Sequence, residues 1–387
     1  MGEEMHEKKR VPAIRFAGFT EPWEQRKLGD ECLEIIAGGD VDKIKLKENG
    51  KYPVLANALS DKGIVGYYDD YYRVKAPAVT VTGRGDVGHA QARKVNFTPV
   101  VRLLSLTSKH DVDFLAEAIN QKDTILESTG IPQLTVPKLA SYRIYFPPTF
   151  DEELRIGKYF STLDNLITLH QRKCDALKKV KKSLLQKMFP KEGSVVPEIR
   201  FAGFTEAWEQ RKLENLAVFN PKENLPDEFE YVDLESVVET EMLSHRTEKK
   251  ATAPSRAQRL ARLGDVFYQT VRPYQKNNYL FEKTDKYYVF STGYAQLRPY
   301  NDGYFLFSLV QCESFVKVVL DHCTGTSYPA INSNDLAKIN VFAPINAHEH
   351  KKIGKIFRNL DNLITLHQRK LDQLKTIKKS LLQQMFV

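Results

Sequence analysis

The sequence predicts an α+β chain. Two mixed α/β bodies are separated by two long helices that pair as an antiparallel coiled coil, with internal pseudo-twofold symmetry. Three observations predict it. Residues 163–189 and 360–386 match at 22 of 27 positions, at an offset of 197. Residues 11–28 and 196–213 match at 16 of 18 positions, at an offset of 185. The stretches between, 29–148 and 214–345, share no long match. Repetition at so long a period sets the architecture before any local reading does. A frame is duplicated, and the frame carries two unrelated bodies.

Residues 1–10, MGEEMHEKKR, read as a polar tail. They lack the apolar core of a secretory signal. No run approaches 18 apolar residues, so no membrane span is expected and the protein is placed in the cytoplasm. The first body occupies 11–148. In it Ala78–Val81 is a β-branched strand running into the turn-rich Thr82–Gly88. Phe97–Leu106 and Tyr142–Phe146 are further strands, and Asp111–Asn120 a short helix. Thr129-Gly130-Ile131-Pro132 closes this body.

The first long helix covers 149–189, and Pro190–Val195 links it to the second body, 196–345. There Asp265–Thr270, Tyr287–Phe290 and Phe305–Leu309 read as strands and Cys312–Val319 as a helix, closed by Thr326-Ser327-Tyr328-Pro329. The second long helix covers 346–387.

Each long helix carries apolar residues at alternating spacings of 4 and 3, the seam of a coiled coil. In the first these are Ile156, Phe160, Leu163, Ile167, His170, Cys174 and Leu177. In the second they are Ile353, Phe357, Leu360, Ile364, His367, Leu371 and Leu374. Past Leu177 the steps become 3, 4 and 4, through Val180, Leu184 and Met188. Leu166 and Leu363 are expected to widen the stripe. Thr149 with Glu152, and Asn346 with Glu349, have the spacing of capping boxes. A polar seam residue such as His170 or His367 fixes register. Lys178, Lys179, Lys181, Lys182, Lys375, Lys378 and Lys379 are expected on the solvated face.

The composition, 42% hydrophobic and 27% charged, is that of a globular protein. A formal charge of +8 favours a polyanionic partner. Cys32, Cys174, Cys312 and Cys323 are spaced irregularly, so free thiols are expected and no metal site. The chain has no GxxxxGKS phosphate loop, HExxH zinc helix or GxSxG elbow. Asn220-Pro221 is followed by Lys222, which is not the Asn-Pro-Pro-Tyr of adenine methyltransferases. No catalytic residue is assigned.

What remains is recognition chemistry. Arginine and lysine read guanine, asparagine and glutamine read adenine, and many polar groups reach phosphates. In the first body the candidates are Thr82, Arg84, His89, Gln91, Arg93 and Lys94. In the second they are Ser255, Arg256, Gln258 and Arg259, then Gln269, Arg272, Tyr274, Gln275, Lys276 and Asn277. Tyr67, Tyr68, Tyr71 and Tyr72 flank Asp69-Asp70 and can stack on bases, and core and turn packing explains them at least as well.

Three stretches carry a family likeness. RFAGFTEPWEQRKLGD (15–30), PSRAQR…GDVFYQTVRPY (254–274) and the LDNLITLHQRK…KKSLLQ helices resemble the specificity subunit of bacterial type I restriction–modification systems, and the likeness covers nearly the whole chain. It implies that each body is a target recognition domain reading one half of a split, asymmetric site in double-stranded DNA. The helix pair would set the spacing. Two methyltransferase subunits would dock and methylate adenine, and restriction (motor-nuclease) subunits would join them. The likeness further implies that S-adenosylmethionine and ATP/Mg serve those partners, with no cofactor bound by this chain. Three other readings stay open: a specificity subunit of a related bipartite restriction–methylation enzyme, a fused enzyme, and a coiled-coil scaffold without DNA affinity.

Overall fold

A computed structural model describes residues 9–123, 132–191, 193–325 and 327–387. Most of the tail, Thr129–Ile131 of the first closing run and Thr326 of the second lie outside the described residues. The chain forms two compact units, Met1–Gln171 with Arg369–Val387, and Arg172–Gln368. These units do not follow the boundaries drawn from the sequence. Each long helix gives its first part to one unit and its last part to the other.

In the first unit, β1 (Trp23–Lys27) is followed by β2 (Cys32–Ala37), β3 (Tyr52–Leu55), β4 (Ile64–Tyr68), β5 (Ala78–Thr82), β6 (Ala90–Arg93), β7 (Thr98–Pro99) and β8 (Leu103–Ser108). Helix α1 (Val112–Asn120), β9 (Arg143–Phe146) and the long α2 (Phe150–Lys187) complete it. The main sheet is antiparallel, in the order β2-β8-β5-β6. Strand β5 is its buried centre, as its β-branched run requires. Strands β4-β3-β7 form a smaller sheet, and β9 pairs antiparallel with β1. Lys9 and Arg10, expected in the tail, pair with Glu24 and Trp23. The single strand expected over Phe97–Leu106 is two strands, broken at Arg102, whose φ of 69° is left-handed.

The second unit repeats this plan. Its main strands are β10 (Glu209–Lys212), β11 (Ala217–Phe219), β12 (Glu228–Val232), β13 (Arg246–Lys249), β14 (Ala257–Leu260), β15 (Val266–Gln269), β16 (Tyr279–Leu280), β17 (Tyr288–Ser291) and β18 (Tyr294–Pro299). Helices α3 (Gly303–Gln311) and α4 (Glu313–Asp321), strand β19 (Asn340–Ala343) and the long α5 (Ala347–Met385) follow. The sheet β11-β18-β15-β16 has the same succession as β2-β8-β5-β6, and β19 pairs with β10 as β9 does with β1. A further sheet, β13-β12-β17-β14, has no counterpart of that size in the first unit. Phe305–Leu309, expected as a strand, lies inside α3 instead. Every residue from Tyr304 to Gln311 is buried, so no polar face marks the helical period.

Each unit is locked by the same aromatic set. In the first, Trp23 meets Phe114 at 5.8 Å and Phe386 at 6.1 Å, while Phe160 meets Phe386 at 5.8 Å. In the second, Trp208 meets Phe305 at 6.1 Å and Phe189 at 5.9 Å, while Phe189 meets Phe357 at 6.1 Å. The phenylalanine just past the end of each long helix thus completes the core begun by the first turns of the other. The pairing is antiparallel in both units. Asp164 binds Lys378 at 2.7 Å in the first, and Lys181 binds Asp361 at 2.6 Å in the second. Those two ion pairs are repeat-equivalent and fix the same register.

Ile156, Phe160, Leu163, Cys174, Ile353, Phe357, Leu371 and Leu374 of the seam are buried, and its other six members half-buried. Leu166 and Leu363 do not widen the stripe: they are 39% and 44% exposed. Val180 leaves it too. Lys181 and Lys378, expected on the solvated face, are instead half-buried in ion pairs. Among the described residues no single helix is long and apolar enough to cross a membrane.

The expected capping boxes are absent in that form. Asn346 does cap, its Oδ1 accepting from His348 N at 2.9 Å. The glutamates hold the leading segment instead. Glu152 accepts from Arg15 Nε and Nη2 at 2.5 and 2.7 Å and from Trp23 Nε1 at 3.3 Å. Glu349 accepts from Arg200 Nε and Nη2 at 2.7 and 2.8 Å. One turn on, a glycine brings the long helix against the body. A Cβ on Gly157 would lie 2.1 Å from Oδ1 of Asp111, the N-cap of α1. On Gly354 it would lie 2.0 Å from Oδ1 of Asp302, the N-cap of α3.

A charged cluster at the start of α1 and α2 adds to the first unit. His110 sits between Glu153 (2.7 Å) and Glu31 (2.9 Å) and stacks on Phe146 at 4.2 Å. Burial alone would lower the imidazole pKa, but bonds to Glu153 and Glu31 outweigh it and the net direction is up. A raised folded pKa gives stability that is full below the unfolded value of about 6.5 and fades as pH rises through the folded one. Glu31 is shifted down by His110, Lys109 and Arg26 against the opposing effect of burial. Its contribution is therefore lost in acid, as pH falls through its folded pKa. The melting temperature of the first unit is expected to decline from pH 6 to pH 9, and His110→Asn should flatten that decline. An unchanged slope in the variant would exclude His110 as its source.

Candidate nucleic-acid interface

The first unit presents its candidates along the β5–β6 hairpin. At its closed end the Thr82 hydroxyl donates to Asp86 O and accepts from His89 N, and Gly88 N donates to Thr82 O. Gly85 and Gly88 take the left-handed φ values, 77° and 89°, that this loop demands. Arg84 follows Gly83, whose N–H donates to Asn57 Oδ1 at 2.8 Å and whose carbonyl accepts from Leu134 N at 3.0 Å. Asn57 Nδ2 also donates to Val101 O at 3.1 Å. Asn57, Arg84, Gly85, Val101 and Arg102 line an open hollow of about 490 Å³.

Thr82, Arg84 and His89 are therefore together. Gln91 stands mid-strand opposite Thr80. Arg93 and Lys94 lie at the other end. Arg93 is anchored, its Nε donating to Thr80 Oγ1 and its Nη1 to Lys62 O, both at 2.9 Å. Burial pulls its pKa down to about 10, which leaves it charged at neutral pH. Lys94 is paired with Asp113 at 2.7 Å. Tyr52 meets Tyr72 at 5.0 Å and Tyr68 meets Tyr71 at 6.0 Å, while Tyr71 and Tyr72 keep exposed faces.

In the second unit both candidate clusters meet at one turn. Thr292 N donates to Arg256 O at 2.8 Å, and Thr270 N donates to Gly293 O at 3.0 Å. The Ser291–Gly293 turn thus draws Ser255–Arg259 and Gln269–Asn277 together. Gln258 bonds back to Ser255 O, and Arg259 is half-buried, with burial lowering its pKa. Gln269 is buried and structural. Its Nε2 donates to Gln275 Oε1 and its Oε1 accepts from Asn277 N, which knots the loop. Asn277 Oδ1 accepts from Glu239 N, and Lys276 pairs with Glu313 at 2.6 Å. Arg272 has a left-handed φ of 53°, donates its N–H to Pro329 O, and lays its guanidinium 4.4 Å over Tyr328. Tyr274 and Tyr328 are exposed and Arg272 is half-buried, so the cation lies on one aromatic face at the surface of the loop.

The two sites occupy corresponding places. Thr270 O accepts from Ile331 N as Gly83 O accepts from Leu134 N, and Ile331 and Leu134 are repeat-equivalent. Arg84 and Arg272 each leave the sheet one or two residues beyond that point. Among the described residues no group of three or more His, Cys, Asp or Glu is arranged to hold a metal ion. Sequence reading missed Asn57 and Arg102, which sit in irregular loops without periodicity or motif.

The family described as the type I restriction modification DNA specificity domain matches residues 20–179 and 252–376. The chain belongs to that family. Each match takes in most of one body and much of its long helix, so two specificity domains stand in tandem. A curated relative, the type I restriction enzyme MjaVIII specificity subunit of Methanocaldococcus jannaschii, is 22% identical over 94% of this chain and 91% of its own. The crystal structure of a type I restriction-modification system S subunit from M. genitalium superposes with a TM-score of 0.69 at 15% identity, covering 97% of this chain and 99% of that one. The fold is that of a specificity subunit over its whole length.

Proposed function

We propose that each body reads one half of an asymmetric, bipartite site in double-stranded DNA, and that the paired helices set the distance between the halves. Two methyltransferase subunits assemble on the frame and methylate adenine, and restriction subunits join them. S-adenosylmethionine and ATP/Mg are used by these partners in the cytoplasm, while this chain contributes recognition and no catalysis. The observation that carries the reading is the pair of equivalent sheets ending in different cationic loops, at Arg84 and Arg272. A constant frame bearing two unlike recognition loops suits two independent readings.

Mapping of N6-methyladenine tests it. Arg84→Ala is expected to disturb only the first half-site and Arg272→Gly, which keeps the left-handed backbone, only the second. A base-reading arginine should cost about 1–3 kcal/mol and relax one position. A phosphate contact would weaken all sequences alike. If both variants methylate the wild-type site at the wild-type rate, these loops do not read DNA.

A further inference from the structure

We infer that the hollow beside Arg84 is a guanine-reading pocket in which Arg102 is the second arginine and Asn57 the residue that positions both. The inference rests on the half-site reading above and adds residues to it. Arg84 and Arg102, 18 residues apart in sequence, line the hollow from two loops together with Gly85 and Val101. Among the described residues neither guanidinium has an ion-pair partner, and no carboxylate lines the hollow. Elsewhere in this unit Lys47, Lys94 and Arg93 are tied to Asp69, Asp113 or the fold.

The construction of the hollow is what makes it a site rather than a gap. Both polar ends of the Asn57 side chain are spent on backbone, Oδ1 on Gly83 N and Nδ2 on Val101 O. Each bond fixes the residue immediately before one of the arginines. Gly83 permits the approach: a Cβ there would lie 2.3 Å from Arg102 O. Arg102 itself is held at φ 69°. A non-glycine residue stays in that region only where its surroundings impose it, and such positions gather at binding sites.

The hollow favours a base edge over a phosphate. An arginine fork can meet a phosphate or guanine O6 and N7 alike, so the wall beside it decides between them. Val101 is 41% exposed and gives the hollow an apolar wall, which suits a base more than a phosphate.

The test uses the full chain with its methyltransferase partner and sequences methylated adenines across many genomic contexts. Arg102→Gly keeps the backbone and removes the fork, Arg102→Lys keeps the charge and removes the fork, and Asn57→Ala frees both loops. All three are expected to lower discrimination at one guanine of the first half-site, roughly 10- to 100-fold for the arginine variants, with the second half-site unchanged. Arg102→Gly should melt at the wild-type temperature, which separates lost reading from lost folding. Retained discrimination in Arg102→Lys would mean that the arginine fork is not what reads the base, and a uniform loss over all sequences in Arg102→Gly would mean a phosphate contact; either overturns the proposal. A wild-type pattern unmoved by Arg102→Gly sinks the pocket alone. If the wild-type chain gives no two-part pattern, the half-site reading falls and the pocket with it.

Discussion

Inserting one heptad after Gln171 and another after Gln368 is expected to give an active protein that methylates the same two half-sites with two to three more base pairs between them. Those points are repeat-equivalent, and both long helices pass from one compact unit to the other there. Contacts inside each unit, including the Asp164–Lys378 and Lys181–Asp361 pairs, are left intact. Seven residues keep the seam and add about 10.5 Å at about 1.5 Å per residue. At about 3.4 Å per base pair that equals about three base pairs. Those pairs also turn the second half-site by roughly 100°, at about 10–10.5 base pairs per turn. The DNA or the complex must absorb that turn. Methylation mapping decides the matter: an active variant that keeps the original spacer shows that the helices are not the ruler.

Glu349→Ala is expected to cost the second unit about 3–5 kcal/mol, and Glu152→Ala a similar amount in the first, because each strands a buried arginine. Side chains of Arg200 and Glu349 are only 11% and 1% exposed. Replacing both members, Arg200→Met with Glu349→Leu, should restore much of the loss, since a packed apolar pair avoids desolvating either charge. Urea unfolding of single and double variants measures this. A Glu349→Ala protein as stable as wild type would show that the pair is not what holds the leading segment to the helix.

The doubled frame was legible because its signal is long. Identical runs at offsets of 185 and 197, and a seam of fourteen positions, survive any local ambiguity. Single glutamates were not legible in the same way. Glu152 and Glu349 stand at capping-box spacing, yet their partners are 137 and 149 residues away, and no local pattern records that. Helix α3 escaped because a helix buried all round has no period to read. In the candidate loops the residue types singled out stretches but could not tell which side chains the fold engages. Gln269 and Arg93 look like readers in sequence, and the structure spends them on the fold. Asn57 and Arg102 look like nothing in sequence and are brought to Arg84 by the β-sheet.

The exchanged helix ends have a consequence for the order in which the protein is made. The Phe189–Trp208 contact joins residues about 20 apart, whereas the equivalent Phe386–Trp23 contact spans about 360. Loop-closure entropy makes the longer closure dearer by about 2.5 kcal/mol for a flexible chain. The difference is also one of time, since synthesis runs from the N-terminus at about 5–20 residues per second. Every residue of the second unit is on hand once Gln368 has left the ribosome. The first unit, begun earliest, still lacks Leu374, Lys378, Met385 and Phe386 at that moment. A chain interrupted before Arg369 therefore carries a finished second unit and a first unit with an open core.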